Sequence, residues 1–297
     1  MNESHEAEGV HKLFAAHPRA FEANRYVYPV VSRRSGGISI GVNLNLDKAC
    51  NFDCVYCQVD RREAGGKALV DLERLAAELG AMVERVTSGR IYEEPAFRST
   101  PAALRRLNDI ALSGDGEPTA HPHFDDAVSV CAAVRRRYRL DDVKLVLITN
   151  ASLFHRPRVQ RGLELLDSAG GEIWGKLDAG TEAYYREVAR SAIPFRRILD
   201  NLLLAARVRP IVIQSLFMRV RGEPPRGAEV EAYGDRLVEI LAGGGRIKLV
   251  QIHTVARPPA ETWVAALGDD EMDALAEKVR RRTGLPVAAF YGSPEAA

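Results

Sequence analysis

Short runs of Val, Ile and Leu alternate along this chain with amphipathic stretches of helical period. That alternation restricts the fold more than any other feature. Residues 38–46 set the pattern: Ile38, Ile40, Val42, Leu44 and Leu46 interleave with Ser39, Gly41, Asn43 and Asn45, a period of two. Asp71 can cap a helix whose stripe carries Leu72, Leu75, Ala76, Leu79, Met82, Val83 and Val86, and Gly89 suits its end. Strand-like segments follow at 109–114, 143–150, 172–178, 210–217 and 246–253. Helix-like segments answer them near 123–138, 156–168, 181–189 with 195–207, 227–242 and 269–283, and residues 286–291 offer a last strand. About six βα units of this kind predict an α/β fold: a parallel sheet joined by crossover helices that cover its apolar strands.

Composition narrows the class of protein. Hydrophobic residues make up 46% of 297, enough for a large core and too many for a disordered chain. Lys and Arg number 41 against 40 Asp and Glu, a balance of +1 that gives no support to nucleic acid or a membrane surface as partner. No apolar run approaches the ~18 residues of a spanning helix. The polar opening MNESHEAEGVHK reads as neither a secretory signal nor a transit peptide, which leads to a cytoplasmic expectation. Residues 1–36 are expected to be an N-terminal extension, helical over 1–25 with a break at Pro18, then a short strand at 26–31. Residues 37–297 are expected to form the main body.

Cysteine usage is the sharpest chemical clue. Cys50, Cys54 and Cys57 fall within ACNFDCVYCQ, on the loop leaving the first strand of the alternating series, while Cys131 is remote. Three thiols so close together cannot all pair with one distant partner, and disulfide frameworks belong to small secreted chains. A [4Fe–4S] cluster normally takes four thiolates; three would leave one iron open to chelate a small molecule. Zinc in a Cys3His site is the rival reading, although the nearest downstream histidine is His121. Cys131 shares helical spacing with Val128 and Val134 and reads as a core thiol; the rival role is a hydrogen-atom donor.

CNFDCVYC resembles the C-x3-C-x2-aromatic-C signature of radical S-adenosylmethionine (SAM) enzymes. Leu112-Ser113-Gly114-Asp115-Gly116-Glu117-Pro118-Thr119, after the second strand of the series, resembles that superfamily's glycine–glutamate–proline motif. The segments SGDGEPTAHP, WGKLDAGTEAYY and VQIHTVARPP are similar to iron–sulfur oxidoreductases related to the wyosine-forming tRNA synthase. The resemblance spans about Gly37 to Arg257 and implies a partial (β/α)6 TIM-like barrel, in agreement with the unit count. It implies a cluster on Cys50, Cys54 and Cys57, with Tyr56 packing against SAM. It further implies that Ser113, Gly114, Asp115, Gly116 and Glu117 contact the methionine end of SAM. Glycines bring backbone carbonyls close there, and an acid faces an ammonium. An electron donor such as flavodoxin or ferredoxin is implied as partner. With only Cys131 left over, no auxiliary cluster is expected.

Further candidates sit at strand ends. Thr149 and Asn150 end the third strand of the series as cofactor contacts or as a simple turn. Trp174, Lys176 and Asp178 share one strand face; Lys176 and Asp178 read as catalytic or as a structural ion pair. Gln214 and Gln251 interrupt apolar runs as candidate cofactor contacts, and His253 ends its strand as a candidate catalytic residue or a structural one. The Arg-rich stretches at 135–137 and 280–282 read as solvated helix ends. The expected function is hydrogen abstraction from a small substrate, nucleoside- or sugar-like as one option. The alternatives are modification of RNA or protein, and, in another class, a non-enzymatic iron–sulfur or zinc-binding protein.

Overall fold

A computed structural model of the chain describes residues 19, 21–61, 65–66 and 69–292. Of the helix expected over 1–25, residues 1–18 and 20 lie outside the described residues, and 21–25 are a turn rather than a helix. The chain divides into two compact units, one built from residues 1–49, 64–148 and 157–172, the other from 50–63, 149–156 and 173–297.

In the first unit β1 (Val27–Ser32) pairs antiparallel with β2 (Gly37–Val42), Val27 opposite Val42 and Ser32 opposite Gly37. The strand expected at 26–31 is therefore a hairpin partner of β2. Helix α1 (Leu72–Thr87) begins where the Asp71 side chain accepts from the Arg74 N–H at 3.0 Å, and it buries Leu75, Leu79, Met82, Val83 and Val86. Strand β3 (Leu107–Leu112) lies parallel to β2, helix α2 (Phe124–Arg137) follows, and β4 (Lys144–Thr149) lies parallel to β3 before helix α3 (Pro157–Ser168). Of the arginines closing α2, Arg136 and Arg137 are exposed, while Arg135 donates to the carbonyl oxygens of Val143 at 2.5 Å and Ala169 at 2.7 Å.

The second unit holds β5 (Glu172–Lys176), α4 (Glu182–Ala189), α5 (Phe195–Val208), β6 (Ile211–Leu216), β7 (Arg219–Val220), α6 (Gly227–Ala242), β8 (Ile247–His253), β9 (Val264–Ala265), α7 (Asp269–Thr283) and β10 (Val287–Phe290). Pairings β5–β6, β6–β8 and β8–β10 are all parallel. The two-residue strands β7 and β9 make a separate antiparallel ribbon. Alternation along β6 sends Ser215 to Tyr233 of α6, with the hydroxyls 2.6 Å apart, and turns Gln214 to the other face. Among the described residues no helix is long and apolar enough to cross a membrane.

One buried carboxylate ties the hairpin to α1. Glu78 accepts the Arg25 N–H at 2.9 Å, the Tyr26 N–H at 2.8 Å and the Arg74 guanidinium at 2.7 Å. Burial alone would raise its pKa, but these donors outweigh burial and hold it below the usual carboxylate range. A depressed folded pKa means the stabilisation is complete above the unfolded value and is lost as pH falls through the folded one. Glu78→Gln is expected to cost about 1–3 kcal/mol in urea denaturation at neutral pH. The gap to the unmodified chain should narrow as the denaturation is repeated at pH values descending below the carboxylate range.

Candidate active site

The cysteine loop has no regular structure, so its backbone groups must find partners elsewhere. The Asp53 and Val55 N–H groups donate to the carbonyls of Ala189 and Val188, the last residues of α4, at 3.1 and 2.9 Å. Helix ends leave such carbonyls unsatisfied, so loop and helix complete each other. Arg190 then takes a left-handed conformation, φ +45°, that ends the helix, and its guanidinium hydrogen-bonds Glu261. Cys57 N–H donates to the Cys54 carbonyl and Ala260 N–H to the Cys57 carbonyl, both at 2.9 Å. Beneath the loop, Val55 and Tyr56 join an apolar cluster with Val188, Leu216, Met218, Val255 and Val264.

Cys50, Cys54 and Cys57 are in no disulfide and partly exposed, whereas Cys131 is buried in α2. Cys54 packs its side chain against the apolar cluster, and burial pushes its thiol up to about 12 against the opposing pull of Lys176. Burial likewise pushes the Cys131 thiol up to about 12, as expected of a core residue. Arg61 donates from Nη1 to the Cys57 sulfur at 2.9 Å.

Asp178 is the joint of this unit's polar groups. Its Oδ1 accepts the Leu216 N–H at 2.8 Å, and its Oδ2 accepts the Tyr56 hydroxyl and lies 3.4 Å from Lys176 Nζ. Lys176 also stands 4.8 Å over the centre of the Tyr56 ring, a cation–π contact. Burial first, and the Asp178 charge second, hold the Tyr56 hydroxyl well above the ordinary phenol range, so it stays a donor. Lys176 faces Gln214 in register and Gln214 faces Gln251, with the two amides bonded at 3.1 Å. His253, buried, stands two residues beyond Gln251 along β8, opposite Leu216. The structure thus brings Tyr56, Lys176 and Asp178 into direct contact and sets Gln214 and Gln251 on the same strand face.

Thr149 and Asn150 do two jobs. Thr149 Oγ1 accepts the Ala151 N–H at 3.1 Å and Asn150 Oδ1 accepts the Ser152 N–H at 3.0 Å, which are turn contacts. Asn150 also donates to Asn51 Oδ1 and Asn51 donates to Ser152 Oγ, both at 2.8 Å, which locks the residue after Cys50. Asn51 escaped the sequence reading because it has no spacing that marks it.

In the first unit, residues 113–117 wrap against the end of β2. Asn43 Oδ1 accepts the Asp115 N–H at 3.1 Å, Asn43 donates to Asp115 Oδ2 at 2.6 Å, and Arg19 meets Asp115 Oδ1 at 2.7 Å. Glu117 N–H donates to the Ala49 carbonyl at 3.2 Å, beside Cys50 in sequence. Its buried carboxylate accepts the Thr119 N–H at 3.1 Å and hydroxyl at 2.5 Å. A Cβ on Gly116 would lie 2.0 Å from the Ala49 oxygen, and one on Gly114 2.2 Å from Asn43 Oδ1, so only glycine permits this approach. Ser113 N–H donates to the Val42 carbonyl at 3.0 Å, extending the β2–β3 register into the motif.

Among the described residues, no three His, Cys, Asp or Glu side chains gather as a single metal ion would require. Cys50, Cys54 and Cys57, none of them in a disulfide, supply the thiol donors that an iron–sulfur cluster takes. The donor set and the glycine turn therefore fit the cofactors that the sequence motifs call for. The radical SAM superfamily model matches residues 44–226. This chain belongs to the radical SAM superfamily. Members of the radical SAM superfamily use a [4Fe–4S] cluster and SAM, which makes this chain an enzyme with those cofactors.

The chain is 32% identical over 250 residues to a UPF0026 protein of Helicobacter pylori strain 26695, covering 82% of this chain and 70% of that protein. It is 26% identical over 246 residues to the UPF0026 protein of strain J99, with the same coverage. Among solved structures it resembles a mutant spore photoproduct lyase with a dinucleoside spore photoproduct (TM-score 0.55, 11% identity, 91% of this chain and 81% of that one). It also resembles TYW1 with a lysine–pyruvate adduct bound (TM-score 0.51, 15% identity, 93% and 82%). These likenesses show the fold, the partial TIM-like barrel of radical SAM enzymes.

Asp178→Ala is expected to cost about 3 kcal/mol by urea denaturation, because it leaves the Lys176 ammonium and the Leu216 N–H without their carboxylate. Adding Lys176→Met to Asp178→Ala should recover part of that loss, a coupling read from the double-mutant cycle.

Proposed function

We propose that this radical SAM enzyme holds one [4Fe–4S] cluster on Cys50, Cys54 and Cys57 and abstracts a hydrogen atom from a small substrate, with nucleoside- and sugar-like compounds the first to try. The observation that carries this reading is the set of three cysteines outside any disulfide at C-x3-C-x2-C spacing, on a loop whose backbone is fixed to α4. When bound, the cluster and SAM together supply reductive cleavage to a 5′-deoxyadenosyl radical.

The chain's own groups bind, orient and exclude water. Asn51, Asn150 and Ser152 hold the residue after Cys50 in place, while Val55 and Tyr56 keep the loop's inner side dry. Ser113, Gly114, Asp115, Gly116 and Glu117 offer the amino end of SAM backbone carbonyls and an acid. Thr149, Gln214 and Gln251 serve as further hydrogen-bond contacts for the cofactor. Lys176 and Asp178 orient the substrate, Asp178 Oδ2 fixes the Tyr56 hydroxyl proton, and His253 supplies a nitrogen able to hold a proton at the strand end. The buried amide pair Gln214–Gln251 and the near-neutral charge favour a compact polar substrate over a nucleic acid. Residues 37–297 form the catalytic body and 1–36 its extension. Reduced flavodoxin or ferredoxin is the fitting electron donor, and a reducing cytoplasm is the setting that keeps such thiols available.

Anaerobic reconstitution should load about four irons per chain. Stoichiometric zinc in their place would exclude the mechanism. Cys54→Ala should abolish 5′-deoxyadenosine formation, and Cys131→Ala should leave both iron and cleavage intact. Incubation with deuterated candidate substrates identifies the abstracted position through deuterium recovered in 5′-deoxyadenosine.

A further inference from the structure

We infer that Arg61 sets the potential at which the cluster accepts its electron, an inference that rests on the cluster site proposed above. Arg61 Nη1 donates to Cys57 Sγ at 2.9 Å, a side-chain contact between residues four apart in a stretch with no helix to impose it. The approach is fixed from both sides. Cys57 is held by its N–H to the Cys54 carbonyl and by Ala260 N–H on its own carbonyl. Between Cys57 and Arg61, Val59 is buried and Gln58 Nε2 reaches the Arg257 carbonyl at 3.4 Å, which leaves little freedom in the segment that returns the guanidinium to the sulfur. The other cation near the loop, Lys176, acts on Cys54 and has the carboxylate of Asp178 3.4 Å away to offset it, whereas Arg61 is hydrogen-bonded to a ligand sulfur itself.

A guanidinium is always charged and is weakly hydrated, so it tolerates this partly covered position. Reduction adds one electron, supplied by an external low-potential carrier, to a cluster–thiolate assembly that is already anionic, and no proton has to move for balance. A fixed positive charge hydrogen-bonded to a ligand sulfur stabilises the more negative product over the reactant and raises the potential. Arg61 is thus a positioning residue acting through Cys57.

The test uses reconstituted full-length protein, unmodified and as Arg61→Gln, Arg61→Met and Arg61→Lys, with iron content measured beside the midpoint in a dithionite titration followed by paramagnetic resonance. The neutral variants should keep about four irons. Their midpoints should fall by roughly 59 mV, a tenfold loss in the one-electron equilibrium constant. Arg61→Lys, which keeps the charge without the planar fork, should fall by less. A neutral variant that loads iron and keeps the original midpoint overturns the inference, as does loss of iron from both neutral variants, which would make Arg61 an assembly residue instead. Failure of the unmodified chain to bind iron would count against the proposed function, a separate result.

Discussion

Two carbonyls at the end of α4 carry more of this molecule than their number suggests. The loop that presents the three cysteines is neither helix nor strand, and an irregular backbone placed over an apolar cluster needs partners for its N–H groups. Val188 and Ala189 supply them to Val55 and Asp53, and in return the helix terminus is satisfied without a cap side chain. The conformation of the cysteine loop is thereby a property of α4 and of the left-handed Arg190 that closes it.

Asp178 extends the same logic to side chains. One carboxylate receives a backbone N–H of β6, a phenol from the cysteine loop and the ammonium of β5, so loop and strands meet at a single acid. Charge, ring and hydroxyl are mutually restrained, which is how a site on a loop gains the rigidity of the sheet that carries it. In the other unit backbone proximity serves the same end. Gly114 and Gly116 let the motif after β3 press onto Asn43 and Ala49, fixing the acid at Glu117 by chain path and by its bonds to Thr119.

Much of this was readable from residues alone. The period-two run at 38–46 became β2 only as far as Val42, with 43–46 leaving the strand, while the stripe from Leu75 to Val86 became the buried side of α1 and the cysteine spacing marked the loop. Local patterns are legible because burial imposes a period on them. What escaped was of two kinds. The ribbon of β7 and β9 has two residues per strand, too few to show any period. The partnerships of Glu78 with Arg25 and Tyr26, of Asn51 with Asn150 and of Tyr56 with Asp178 join positions about fifty to over a hundred residues apart, and polar side chains carry no mark of whom they will meet. The hairpin of β1 with β2 lay between these cases. A short link between two strands leaves no room for a crossover, so antiparallel pairing was implied by length.

The contrast between Cys131 and the loop thiols bears on how the protein withstands air. Cys131 lies inside α2 with no solvent access, while Cys50 and Cys57 keep an open side. Among the cysteines, oxygen or peroxide therefore reaches sulfur at the ligand loop, where sulfenic acids and mixed disulfides are reversible by a thiol reductant. Burial thus steers thiol oxidation toward the ligand loop and away from the hydrophobic interior around α2.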